Sequence, residues 1–339
     1  MPATTVMPGV PDWFWIASAA AMGGAIGSFL NVCIYRMPRR CMSISNPRHS
    51  HCPRCGHAIR WFENIPVLSW VFLLRGKCSS CRMPISPMYP FVEALTAAFF
   101  ALAAMIAVEP TPSWLAGSGA DWLRPFAATP FMRLAWFAVA AWLIAGLIVC
   151  TFIDFEFRII PDQISISGIW LAPLLSFALP WLHRPILRLR PGTSVETLTG
   201  FAHVEGLLAA LIGAAVAAGA IWMVGFFGKV AFRKEAMGFG DVKLMAWMGG
   251  LLGWKASIFV FLIASCLGAG VGVPVMAANR LTNAWRAARG KPPIPFDSYL
   301  AFGPYLAAAG LAMFLWYSAI DRWAFEEYPK FLESLFTRE

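Results

Sequence analysis

Long apolar runs are the feature that most constrains how this chain can fold. A helix needs about 20 consecutive apolar residues to cross a bilayer, and runs near that length recur along the whole sequence. Only 13% of the residues are charged, against about 25% in soluble domains. We therefore predict an all-α polytopic membrane protein. About eight transmembrane helices are expected, the sixth of them short, at 13–35, 91–109, 131–153, 164–182, 204–228, 242–254, 256–278 and 299–319.

The distribution of Lys and Arg predicts the orientation of these spans, because cytoplasmic loops carry the positive excess. Nine basic residues lie between the first two spans, against the single acid Glu63. We expect this segment to be cytoplasmic, with residues 154 and 241 at the same membrane face. The loop with Arg184, Arg188 and Arg190 disagrees with this orientation, because the order of the spans places it on the outer side of the membrane. The net charge of +9 then indicates orientation and contact with anionic membrane lipids, with no nucleic acid as partner.

The predicted organisation has four parts. Residues 13–35 form the first transmembrane helix, and residues 36–90 form a small cytoplasmic segment between helices 1 and 2. Residues 91–319 form a seven-helix core, and residues 320–339 form an extracytoplasmic tail.

Two Cys-x-x-Cys motifs stand in the cytoplasmic segment, Cys52-Pro-Arg-Cys55 and Cys78-Ser-Ser-Cys81. Four thiolates at this spacing are typical of a closed tetrahedral zinc site. The segment has few large apolar side chains, so metal binding would supply stability that its own core cannot. The alternatives are two disulfides, which a reducing cytoplasm disfavours, a redox pair, or no metal. We predict a structural zinc.

Two carboxylates lie at the ends of apolar runs, where an isolated charge is costly. Asp154 follows the third run, and Asp241 closes Gly238-Phe-Gly-Asp241. Two carboxylates near one membrane face can share a proton and activate a water, as in aspartic proteases. The alternative is that each residue only caps a helix or marks the membrane interface. Asp162 follows Pro161 and is expected to cap the next helix.

Several motifs resemble the type IV prepilin leader peptidase family, in that family's order, from about residue 23 to about residue 280. The chain departs from the family pattern in its segments at about 110–130 and 183–203 and in its C-terminal tail. The motifs are the run from Gly27 to Pro38, the paired Cys motifs, Glu63-Asn-Ile-Pro66, Leu74-Arg-Gly76, the run from Ile85 to Pro90, Glu93, Ile153-Asp154, Ile160-Pro-Asp162, and the run from Glu235 to Leu244.

The resemblance implies a function and assigns two residues. Asp154 and Asp241 match the family's catalytic pair. The expected substrates are prepilins and type II secretion pseudopilins, cut at the cytoplasmic face of the bacterial inner membrane. The N-terminal segment resembles the branch that also transfers a methyl group from S-adenosylmethionine to the new N-terminal amine, typically of Phe. The zinc-binding segment is associated with that second activity.

The site of the methyl donor is the least constrained part of this prediction. No glycine-rich turn of the Rossmann kind is visible, and four polar residues at the expected membrane face are the candidates: Glu63, Asn64, Arg75 and Glu93. Two other functions are possible, a presenilin-like intramembrane aspartic protease without methyltransferase activity and a cation-coupled transporter. The paired Cys motifs argue against the first, and aspartates at span ends without an inverted repeat argue against the second.

Overall fold

The structure is a computed structural model, and it describes residues 9–39, 51–52, 54–109, 129–179, 182, 195–233, 237–292 and 301–330. The described residues form helices and two isolated β-bridges, and they contain no β-strand. The predicted all-α class is therefore confirmed. Most of the segments at 110–130 and 183–203, the three arginines of the basic outer loop and the end of the tail lie outside the described residues.

Seven long helices form the described part of the fold, and their bounds follow the apolar runs. A 3₁₀ turn at Trp61–Asn64 and a π-helical turn at Ser69–Leu73 lie between the first two helices. The long helices are α1 at Asp12–Arg36, α2 at Met88–Val108, α3 at Pro130–Phe157, α4 at Asp162–Ala178, α5 at Val195–Phe232, α6 at Phe239–Ala287 and α7 at Gly303–Arg322. A second π-helical turn at Trp323–Glu327 continues α7 into the predicted tail.

Helix α6 contains two of the predicted spans, separated at Gly253. This glycine has φ 81° and ψ 169°, a conformation that interrupts the helix and suits a residue without a Cβ. Before the break, Met248 lies against Gly310 of α7; after it, Gly268 lies against Phe302 at the start of α7. The start of α6 lies beside the start of α7, because Gly240 and Gly303 both lie against Ile160. The two halves therefore run in opposite directions, and the described residues contain eight helical segments, one for each of the about eight apolar runs in the sequence.

Five described helices are long and apolar enough to cross a membrane: α1, α2, α3, the Ala202–Ala231 part of α5, and α6. Helix α4 has 17 residues, fewer than the 19 predicted for its span. The chain is a multi-pass membrane protein.

Close contacts at glycines hold α3, α4, α5 and α6 together. The buried Trp247 ring of α6 fills the space beside Gly146 and Gly168, where an added Cβ would lie 2.4 and 2.5 Å from ring carbons. An added Cβ on Gly213 of α5 would lie 2.2 Å from the Gly249 carbonyl oxygen. Small residues allow helix backbones to approach this closely in membrane proteins. This packing fixes the position of α6, and hence of Asp241 at its start.

One end of the bundle, here called the aspartate end because Asp154 and Asp241 lie there, gathers the residues singled out by the sequence. Helices α1 and α2 are antiparallel, since Gly23 contacts Phe100 while Gly27 contacts Glu93. Arg39, just after α1, pairs with Glu156 near the end of α3 over 3.6 Å. The Cys-containing segment and the end of α3 therefore lie at the same end of the bundle.

Candidate active site and cysteine cluster

Asp154 lies in the last turn of α3. The helix ends at Arg158, whose φ of 56° is left-handed and whose N–H donates to the Asp154 carbonyl over 2.9 Å. The Asp154 residue is only 6% exposed. Its Oδ2 accepts a hydrogen bond of 3.1 Å from the backbone N–H of Gly303, at the start of α7. A buried carboxylate needs such donors, because desolvation penalises its charge.

Asp241 lies in the first turn of α6. Gly238 occupies the N-cap position in an extended conformation, and its carbonyl accepts the Asp241 N–H over 3.1 Å. The backbone of Gly238 also hydrogen-bonds the Asp241 carboxylate. The helix N-terminus favours a negative charge at this position, although Asp241 is only 8% exposed. The Gly238-Phe-Gly-Asp241 motif thus places one carboxylate at a buried helix start.

The fold brings the two aspartates together around one side chain, that of Ile160. An added Cβ on Gly240, next to Asp241, would lie 3.1 Å from Ile160 Cβ. An added Cβ on Gly303 would lie 3.4 Å from Ile160 Cδ1 and 2.6 Å from Asp154 Oδ2. The negative charges of the two carboxylates act on each other. Two carboxylates in one buried site cannot both ionise cheaply, so they are suited to share a proton.

Asp162 differs from Asp154 and Asp241 in that its side chain is exposed. Its side chain is 59% exposed and forms an ion pair with Lys243 of α6. The expected capping role is wrong in detail: Pro161 occupies the N-cap position, and Asp162 is the first residue of α4 without a side-chain cap bond. A carboxylate in the first turn still interacts favourably with the helix dipole.

The four predicted thiols form one cluster. The Sγ atoms of Cys52, Cys55, Cys78 and Cys81 all lie within 4.8 Å of one another. Those of Cys52 and Cys81 are 3.7 Å apart, close to the roughly 3.8 Å that tetrahedral geometry requires for zinc–sulfur bonds of about 2.3 Å. A disulfide requires about 2.05 Å. The arrangement therefore fits a Cys₄ metal site.

The local backbone explains why the two thiols of each motif lie together. One isolated β-bridge joins His51 to Ala58 around the first Cys motif, and the other joins Lys77 to Pro84 around the second. Backbone N–H groups of Cys55 and Arg54 lower the pKa of the Cys52 thiol to about 6. The thiolate is the metal-binding form, so the turn favours the ligand state of Cys52.

Two of the four candidates for the methyl-donor site have structural partners. Glu63 is buried in the 3₁₀ turn and accepts the Arg60 N–H over 2.9 Å. This bond, with a hydrogen bond from the Ser79 side chain and the electrostatic attraction of His57 at 3.7 Å, lowers the pKa of its carboxyl group. Glu93 is buried in α2 and accepts the Val67 N–H over 2.8 Å. Asn64 and Arg75 are exposed. The acids thus stabilise the segment, while the amide and the guanidinium face outward.

Sequence reasoning missed Gly303 and Ile160 as parts of the carboxylate site. The pair Gly303-Pro304 indicates a turn or a helix start, and α7 does begin there. A dipeptide signal cannot show that the N–H of Gly303 reaches Asp154, because that contact depends on the packing of α7 against α3. Ile160 cannot be recognised as a site residue from the sequence, because isoleucine is one of many apolar residues in this chain.

Comparisons with known proteins match most of the chain. Residues 21–107 match the bacterial peptidase A24 N-terminal domain, and residues 141–273 match the type IV leader peptidase family. No solved structure gives a significant match.

Three bacterial relatives carry the name prepilin leader peptidase/N-methyltransferase. The relative from Aeromonas hydrophila is 33% identical over 93% of this chain and 95% of its own length. The relative from Aeromonas salmonicida strain A449 is 32% identical with the same coverage. The relative from Stutzerimonas stutzeri is 32% identical over 89% of this chain and 91% of its own length.

Proposed function

The chain belongs to the type IV leader peptidase family, and on that premise we propose that Asp154 and Asp241 are its catalytic pair. The chain removes leader peptides from prepilins and N-methylates the new N-terminus. The observation that carries the residue assignment is that two buried carboxylates, from α3 and α6, lie close enough for their charges to interact, with Ile160 between their neighbours Gly303 and Gly240. Aspartic-protease chemistry requires such a pair.

The two carboxylates divide the work of hydrolysis between them. One, ionised, takes a proton from a water molecule, and the resulting hydroxide attacks the scissile carbonyl carbon. The other, kept neutral by its partner's charge and by burial, donates its proton to the carbonyl oxygen. Collapse of the tetrahedral intermediate breaks the C–N bond, and the amine of the mature protein leaves with a proton from the pair.

The surroundings of the pair assist this chemistry. Apolar neighbours such as Ile160 exclude bulk water, which strengthens every electrostatic interaction in the site. The Gly303 N–H holds one oxygen of Asp154 and so fixes the orientation of that carboxylate. Cleavage at this position occurs where the spans end, so a substrate can remain anchored in the bilayer.

Zinc fits the cysteine cluster as a structural ion. Four thiolates leave no open coordination position, so the ion stabilises the segment and does not activate water. Residues 54–87 contain only short helical turns, one isolated bridge and one strand-like residue, Ala58, that bridges to His51. We propose that Cys52, Cys55, Cys78 and Cys81 bind one zinc and thereby fix the segment against α1 and α2.

The methyl donor is S-adenosylmethionine, whose sulfonium supplies an electrophilic methyl group to the freed amine. We propose that the 36–90 segment and the start of α2 provide the donor site. Asn64 and Arg75 have exposed side chains for direct contact, whereas Glu63 and Glu93 already accept backbone N–H groups and act by holding the segment in shape.

Substrate and location follow from the same family membership. Prepilins are the substrates, and we propose pseudopilins of type II secretion as a second group. We place the chain in the bacterial inner membrane, in contact with lipids, with the aspartate end at the cytoplasmic face. The positive residues after α1 support this orientation. Matches over both the Cys segment and the Gly-x-Gly-Asp region favour this function over a presenilin-like protease or a transporter.

A cleavage assay tests the assignment. Purified protein in lipid vesicles is incubated with a synthetic prepilin, and leader removal is followed by a mobility shift. Asp154→Asn and Asp241→Asn should each reduce cleavage at least a thousandfold while the protein accumulates normally and retains its zinc. Substantial cleavage by either variant would remove that residue from the mechanism.

A further inference from the structure

An apolar cleft of about 340 Å³ lies between the C-terminal end of α5 and the N-terminal end of α6. Trp222 and Phe226 of α5 and Met237 before α6 form its apolar walls, and Lys229 provides one cation near the end of α5. Its volume lies at the lower end of the range for ligand pockets, about 300–1,000 Å³. The cleft is therefore large enough for a bulky side chain.

The cleft adjoins the catalytic pair through Gly238. This glycine lines the cleft, and a Cβ added to it would lie 3.6 Å from Oδ2 of Asp241. Any group that fills the cleft at Gly238 therefore lies in or near van der Waals contact with the Asp241 carboxylate. A pocket at this distance suits a side chain next to the scissile bond.

The walls of the cleft face the side that lipid occupies. Trp222 and Phe226 are 54% and 50% exposed, and their rings stack with centroids 5.5 Å apart. Both belong to the Ala202–Ala231 span, so in a membrane their exposed faces meet hydrocarbon. An apolar occupant can reach the cleft from within the bilayer without crossing water.

We propose that this cleft binds the apolar side chain of the prepilin residue that directly follows the scissile bond. The inference rests on the proposed function. A substrate cut at the end of the spans has one half in water and one half in the bilayer, and an aromatic cleft open to lipid fits the second half. The mature protein keeps that half, so the cleft selects the residue that becomes its new N-terminus.

A substrate series combined with one variant tests the proposal. Prepilins carrying Phe, Leu or Ala directly after the scissile bond are compared by kcat/KM. The wild-type protein should prefer the large residues over Ala by about tenfold or more, as apolar pockets do. Gly225→Phe places a ring in the cleft, since the Cβ of residue 225 would make ordinary contact, 3.4 Å, with Met237 Cβ. This variant should reduce the preference to about twofold or invert it.

A matched control exists on the same helix. Gly219 lies on α5, and an added Cβ there meets nothing within 4 Å. Gly219→Phe should keep the wild-type preference. Because the preference is a ratio, it does not depend on how much variant protein folds. If Gly225→Phe accumulates too poorly to assay, Phe226→Ala replaces it and should shift the preference toward a bulkier residue, Trp.

Each outcome bears on a distinct claim. An unchanged preference in the assayed cleft variant would overturn the proposal, and so would an altered preference only for the residue before the bond. Failure of the wild-type protein to cleave any prepilin would contradict the proposed function and not the cleft alone.

Discussion

The backbone N–H of Gly303 donates a hydrogen bond of 3.1 Å to Oδ2 of Asp154. A Cβ on Gly303 would lie 2.6 Å from the same oxygen, closer than real Cβ contacts. Helix α7 therefore contributes to the proposed catalytic site through a residue that must lack a side chain. The contact joins the start of α7 to the end of α3.

Gly303→Ala should reduce leader cleavage by about a hundredfold, because the added methyl displaces the Asp154 carboxylate from its productive position and misplacement by about 1 Å costs that much. The measurement is kcat/KM on a synthetic prepilin. Gly270→Ala in α6 is the control, since an added Cβ there meets nothing within 4 Å. Equal activity of the two variants would show that the Gly303 contact does not orient Asp154.

Asp162→Asn should retain cleavage within about threefold of wild type. The Asp162 side chain is 59% exposed and pairs with Lys243 at the surface, and exposed ion pairs contribute about 0–1 kcal/mol to stability. Because the ion pair contributes so little to stability, Lys243→Met should leave the melting temperature of the protein nearly unchanged. Complete loss of cleavage in Asp162→Asn would instead identify Asp162 as the partner of Asp241.

The sequence predicted the helices well, because runs of apolar residues near 20 in length have few other structures available in a bilayer. It also predicted the convergence of four cysteines, since two Cys-x-x-Cys turns bind one metal only when they meet. The reversal at Gly253 was predicted as a break between two spans, although its geometry was not. The contacts of Gly303 and Ile160 depend on packing between helices distant in sequence, which no local pattern encodes.

The roles of the four methyl-donor candidates illustrate the same limit. Glu63 and Glu93 are candidates for contact with the methyl donor because they are acids in an apolar chain. In the structure both carboxylates accept hydrogen bonds from backbone N–H groups. A sequence shows that such a charge needs a partner but does not identify the partner. In both cases the partner is backbone in the segment 60–67, which no residue type marks.

Purified protein should contain about one zinc per chain, and Cys81→Ser should lower that content and expose the segment to protease, because binding of a structural metal is coupled to folding. Elemental analysis and limited proteolysis are the measurements. Cys266→Ser is the control, since Cys266 is an exposed free thiol in α6. Full zinc content in Cys81→Ser would exclude the four-thiolate site.

Glu93 tests how the Cys-containing segment serves methylation. Its carboxylate accepts the Val67 N–H over 2.8 Å, and Val67 has a φ of 60°, a conformation that is unfavourable for a β-branched residue. Pro66, the residue before Val67, contacts α1 at Gly24. Glu93 therefore holds in place a strained turn that fixes the segment against the helices.

Glu93→Ala should impair methylation by tenfold or more and cleavage by much less, because the proposed catalytic aspartates lie on α3 and α6. Glu93→Gln keeps an oxygen acceptor for the Val67 N–H and should retain most of the methylation. Mass spectrometry of the mature N-terminus measures both activities, since methylation adds about one CH₂ unit. Equal loss of methylation in the Gln and Ala variants would show that the charge of Glu93 is required. Proportional loss of cleavage and methylation in Glu93→Ala would show that the segment positions the substrate for one shared site.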